Sequence, residues 1–134
     1  MNHTPPTLGT PMQSRLRLLY AELGSEQNLR QVVRKLYGVF AEDLLIGFFF
    51  AQRDLDTIAN RQSDFLLRAM GATPSYSGKP PATAHLEMPP ILTGHFDRRL
   101  TLLAQLLPQL GISPEGVQTW VDFEESFRSS VVRD

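Results

Sequence analysis

The sequence predicts an all-α domain, and three observations lead to that class. Apolar residues recur at steps of three and four along several stretches, the spacing that gathers side chains on one helix face. Helix signals punctuate those stretches: Ser25 and Ser113 stand where N-caps belong, Gly24 and Gly71 where helices stop. No run shows the strict alternation of a half-buried strand.

The elements follow in order. Residues 12–23 carry Leu16, Leu18, Leu19 and Leu23, a short helix ending at Gly24. Ser25 then caps a second helix, with Glu26 in its first turn. Its stripe is Leu29, Val32, Val33, Leu36, Tyr37 and Phe40. Asp43 interrupts, and an apolar run from Leu44 closes on Phe48, Phe49 and Phe50. A third helix spans about residues 54–70, with Leu55, Ile58, Ala59, Gln62, Phe65, Leu66 and Ala69 as its expected buried stripe. Residues 72–81 are rich in Gly, Pro, Ser and Thr, and the prolines around His85 leave room for a turn or two of helix. Two long helices close the chain. Phe96, Leu100, Leu103, Leu107 and Leu110 mark the first, with Pro108 bending its end. Ser113 and Pro114 open the second, and Val117, Trp120, Val121, Phe127 and Val131 form its apolar face.

Composition narrows the function. A chain of 134 residues, 42% hydrophobic and 20% charged, suits one domain with a core of its own. Residues 1–11 read as a flexible polar N-terminal arm and 12–134 as the domain. Thirteen basic against fourteen acidic residues give a net charge of -1, which points away from nucleic acid and from anionic membranes. With no cysteine there is no disulfide, thiolate metal site or thiol nucleophile. No apolar run approaches a membrane span, and the start lacks the apolar core of a signal peptide, so the cytoplasm is the expected compartment.

The residues that break the pattern carry the functional signal. Gln62 sits on an apolar stripe, and a buried amide without partners costs about 1–3 kcal/mol. It either hydrogen-bonds a backbone carbonyl, sits at the edge of the core, or meets a polar ligand. Tyr37 on its stripe reads as core, with a hydroxyl that reaches the surface. The three phenylalanines read as core, and equally as the flat wall of a pocket. His95, at a helix start, reads as a capping or solvated residue, and Arg98 and Arg99 as a solvated face. His85, between Pro80-Pro81 and Pro89-Pro90, is either a loop residue or a ligand fixed on both sides. No zinc site of the usual kind can be built, since thiols and an HExxH helix are absent, and no GxSxG turn supports a serine triad. A metal on His85 would take its other ligands from a cofactor.

The stretches LYAELG (19–24), VVRKLYGVFAEDLLIGFFF (32–50), QSDFLLRAMG (62–71), YSGKPPATAH (76–85) and HFDRRL (95–100) together resemble the truncated haemoglobins, the small bacterial-type globins of two-over-two helical fold. The resemblance covers nearly the whole chain apart from the arm. It implies a truncated globin domain with a short F helix, binding haem b (iron protoporphyrin IX) through His85. Phe50 then packs on the haem face, Ile58 stands at the pocket entrance, and Tyr76 and Lys79 lie near the propionates. Tyr37 and Gln62 become the distal pair that donates hydrogen bonds to a gas ligand, O2, NO or CO. The resemblance implies O2 binding or NO detoxification in a monomer or weak dimer. Dioxygenase or peroxidase-like turnover would need an external reductase, because no electron-donating domain fits in the chain. The alternative is a haem-free or haem-sensing globin-like interaction or sensory module.

Overall fold

The computed structural model describes residues 10–72 and 89–134. The segment with Tyr76, Lys79, His85 and the short F helix lies outside the described residues, as do residues 1–9. The all-α expectation holds: α1 (Thr10–Leu23), α2 (Glu26–Glu42), a 3₁₀ turn (Gly47–Phe50), α3 (Leu55–Ala69), α4 (Thr93–Gln109), α5 (Pro114–Glu125) and a short α6 (Arg128–Val131). Helix α2 packs on α3 and α4 on α5, giving two helix pairs; α1 lies against α5, and α2 also meets α4. Trp120, Phe40, Leu103, Leu107, Leu29 and Val33 fill the centre.

Local signals set the boundaries. Gly24 ends α1 at φ 87°, in the left-handed region where a side chain is strained. The Ser25 hydroxyl accepts from the Asn28 N–H at 3.0 Å and starts α2. At the start of α5 the Ser113 hydroxyl accepts from the Gly116 N–H at 3.0 Å. That same hydroxyl donates to Glu22 Oε1 at 2.7 Å, while the Ser113 N–H donates to Glu22 Oε2 at 2.6 Å. One serine thus caps α5 and fastens it to α1. The approach is close: a Cβ on Gly116 would lie 2.7 Å from Ile112 Cγ2 and 2.8 Å from Glu22 Oε1.

The start of α4 is held from two sides. His95 Nδ1 accepts from the Leu92 N–H at 3.0 Å, the capping role expected of it. Asp134 takes the Thr93 N–H at 2.9 Å and the Thr93 hydroxyl as well. A parallel bridge pairs Ile91 with Val132, and the Arg133 N–H donates to the Ile91 carbonyl at 2.8 Å. The chain end therefore straps down the strand-like approach to α4.

Three expectations change. The last helix is not continuous: it breaks after Glu125 and resumes as α6 at Arg128. Leu18, expected on the stripe of α1, is 72% exposed, and Met12, Leu16, Leu19 and Leu23 do the packing. The phenylalanine run divides, with Phe49 buried, Phe50 half-buried and Phe48 exposed. A 3₁₀ turn has three residues per turn, so three consecutive side chains point to three different sides.

Candidate functional site around Tyr37 and Gln62

The turn from Asp43 to Phe50 places Phe50 beside Tyr37, and Asp43 organises it. Asp43 Oδ2 accepts from the N–H groups of Leu45 at 3.0 Å and Ile46 at 3.3 Å. Its Oδ1 accepts from Arg98 Nη2 at 2.7 Å and Nε at 3.0 Å. The Arg98 guanidinium, helped by the two backbone donors, holds the Asp43 carboxyl below the usual range against the opposing effect of burial. Gly47 completes the turn. A Cβ there would lie 2.5 Å from the Ala41 carbonyl oxygen, a backbone atom that cannot swing away. Gly47→Ala is expected to cost about 1–3 kcal/mol, the usual range for overpacking. Urea denaturation checks it; a variant as stable as the parent would mean the turn shifts freely.

Tyr37 is buried on α2, edge-on to Phe40 at 5.3 Å and to Phe50 at 5.6 Å between ring centroids. Its hydroxyl oxygen accepts a hydrogen bond from Arg99 Nη2 on α4 at 3.2 Å. Arg99 in turn grips Glu124 on α5, through Nε to Oε1 at 2.6 Å and Nη2 to Oε2 at 3.3 Å. Trp120 Nε1 donates to Glu124 Oε2 at 3.2 Å. The guanidinium carbon also lies 4.7 Å from the Phe40 ring centroid and 5.2 Å from that of Tyr37. Burial opposes the charge on Arg99, but the facing Glu124 carboxylate overcomes that, and Arg99 is held more firmly protonated than usual.

The solvated face expected for Arg98 and Arg99 is therefore a correction for Arg99, while the Arg98 side chain is still 35% exposed. The Arg99 side chain is 21% exposed and its partner Glu124 only 9%. Arg98 faces Asp43, whose side chain is 7% exposed. The physical reason lies in register. Phe96, Arg99 and Leu103 stand at i, i+3 and i+7, so Arg99 shares the inward face that the leucines suggested for Leu100 alone.

On α3 the stripe rotates slightly from its expected position. Ala59, Ser63, Leu66 and Leu67 are the buried residues, with small Ala59 and Ser63 one turn apart. Ile58, Gln62, Phe65 and Ala69 form a neighbouring, half-buried stripe. The Gln62 amide has no hydrogen-bond partner among the described residues. Phe65 joins Phe123 and Phe127 in a ring cluster, with centroids 6.0 and 5.5 Å away. The structure thus brings Tyr37 together with Phe50, and sets Ile58 and Gln62 on one half-buried face.

Sequence reasoning missed three buried polar residues: Ser63, Thr119 and Glu124. Glu124 was legible in principle, because it lies four residues after Trp120 and so beside an indole that needs an acceptor. Nothing in the pattern marks Ser63, whose hydroxyl is buried with no partner among the described residues.

With this geometry in place, known proteins give the lineage. The bacterial-like globin family model matches residues 18–132. A group 1 truncated hemoglobin of Tetrahymena pyriformis is 32% identical over 95 residues, 71% of this chain and 78% of that protein. Another, from Chlamydomonas moewusii, is 32% identical over 97 residues, 72% of this chain; the chain spans 57% of that relative's length. Among solved structures, the Fe(III) form of the Tetrahymena pyriformis truncated hemoglobin superposes with a TM-score of 0.76 at 28% identity, covering 87% of this chain and 98% of that one. The 2/2 hemoglobin of Synechococcus sp. PCC 7002, in the cyanomet state with covalently attached heme, gives 0.76 at 25% identity, covering 85% and 97%. The chain belongs to the bacterial-like globins, in their truncated, two-over-two branch.

Proposed function

We propose that this globin binds haem b through His85 and holds a diatomic gas on the opposite side, under Tyr37 and Gln62. The relatives support the group itself, since globins as a family imply haem and gas binding. The observation that carries the reading for this chain is the half-buried apolar stripe of α3, in which the Gln62 amide stands without a partner among the described residues. At half burial that amide can reach a polar group entering from outside the chain.

The residues fit a haem chemically. Phe50 and Ile58 offer apolar surface for a macrocycle, His85 is the imidazole for its iron, and Tyr76 and Lys79 suit its propionates. When bound, haem would supply an iron able to take O2, NO or CO. Tyr37 then acts as a hydrogen-bond donor to the outer atom of the gas, and Gln62 donates beside it or orients the tyrosine hydroxyl. Phe50 and Ile58 keep water from the same space. NO detoxification would follow with electrons from an external reductase; reversible O2 binding needs none. No helix among the described residues is long and apolar enough to cross a membrane, and a cytoplasmic site of action belongs to the proposal.

The test is reversible oxygenation. Protein loaded with haem and reduced under argon should change its visible spectrum on exposure to air and recover under argon. Immediate, irreversible oxidation, with no oxygenated spectrum even by stopped flow, would overturn O2 binding as the function.

A further inference from the structure

We propose that Arg99, anchored by Glu124, is a positioning residue that fixes Tyr37 as a hydrogen-bond donor toward the ligand. This rests on the haem reading above and extends it to two residues that do not touch the ligand. A phenol oxygen can accept a hydrogen bond and its O–H can donate one, and a rotating hydroxyl normally chooses between these directions. Here the choice is removed. Arg99 Nη2 donates to the Tyr37 oxygen at 3.2 Å, and a guanidinium has no acceptor to offer in return. The Tyr37 proton must therefore point away from Arg99, and no acceptor for it exists among the described residues. A buried tyrosine hydroxyl ordinarily has one.

The guanidinium is itself fixed. Glu124 takes its Nε and Nη2 side by side, the geometry that gives arginine–carboxylate pairs their directionality. Trp120 holds the Glu124 carboxylate from behind, and the Phe40 ring lies against the guanidinium. A chain of Trp120, Glu124, Arg99 and Tyr37 thus runs from α5 through α4 to α2. A lysine in place of Arg99 would offer a swivelling point charge without the paired grip. The pair brings no net charge, so its action on the ligand passes through the direction of the Tyr37 proton.

The experiment uses the haem-loaded, reduced full chain with carbon monoxide as probe, read by the infrared C–O stretch, which falls when a donor hydrogen bond reaches the ligand. Arg99→Met combined with Glu124→Gln removes both charges together and leaves residue 124 able to accept from Trp120. The expected result is a C–O stretch moved up toward the value of Tyr37→Phe, with O2 release several-fold to about tenfold faster, the scale of one weakened hydrogen bond. In a Tyr37→Phe background the same double change should do nothing. Arg99→Lys, which keeps the charge pair with Glu124 but not its two-point grip, should move the stretch in the same direction by a smaller amount, so the test survives if the double variant folds poorly. An unchanged stretch in haem-loaded Arg99→Lys, or an equal shift with and without Tyr37, would overturn the proposal. Failure of the parent protein to take up haem would instead remove the reading on which it rests.

Discussion

Replacing Tyr37 by phenylalanine is expected to speed O2 release from the haem-loaded protein by about ten- to a hundredfold. A hydrogen bond to a charged acceptor contributes about 1.5–3 kcal/mol, and each 1.4 kcal/mol is about a factor of ten. The ring contacts to Phe40 and Phe50 survive the change, so the hydroxyl alone is tested. One Arg99 Nη2–H loses its acceptor, while the guanidinium keeps its grip on Glu124 through Nε and the other Nη2–H, which limits the collateral cost. Stopped-flow displacement of O2 by CO reads the off-rate directly. An off-rate equal to the parent's would end the donor role of Tyr37. Carbon monoxide, which carries less charge on its outer atom, should respond less than O2 to the same substitution.

The second large effect concerns stability and needs no haem. Arg99→Ala removes one partner of a pair whose side chains are 21% and 9% exposed, leaving the Glu124 carboxylate buried without its cation. Breaking a buried pair from one side costs about 3–5 kcal/mol, whereas replacing both partners with neutral groups is often close to harmless. Arg99→Met with Glu124→Gln should therefore be clearly more stable than Arg99→Ala, although it carries more substitutions. Urea unfolding followed by circular dichroism compares them. A loss of less than about 1 kcal/mol for Arg99→Ala would class the pair with exposed salt bridges and contradict its structural role. The contrast matters because a domain's whole stability is only about 5–15 kcal/mol.

Much of the fold was legible because its signals are local. Ser25 and Ser113 cap as expected, Gly24 and Gly71 close their helices with positive φ, and the α2 stripe is buried as the spacing predicted. What escaped depends on contacts between elements. Arg99 reads as a surface residue because arginine usually is one. Only Glu124, 25 positions along the chain, turns it into part of the interior. Phe48 reads as core because its neighbours are; the 3₁₀ geometry that exposes it is a property of the Asp43 turn. On α3 the buried face is rotated from the expected one, with Ala59 and Ser63 inside and Ile58 and Gln62 on the half-buried side. That rotation favours a site, since a fully buried Gln62 would have no room for a ligand beside it. Of the site itself, the structure describes the positions of Tyr37, Phe50, Ile58 and Gln62, while His85 and Tyr76 rest on the likeness of their segment to the truncated globins and Lys79 on its charge.

His85 therefore decides the matter. The measurement is a haemin titration followed by visible absorption, with the parent protein beside His85→Ala, and circular dichroism to confirm that both are folded. A sharp Soret band saturating at one haem per chain in the parent, and lost or displaced in the variant, is the predicted result. If haemin bound equally well to both with identical spectra, His85 would not be the iron ligand, and the assignment of Tyr37 and Gln62 to the opposite side would fall with it.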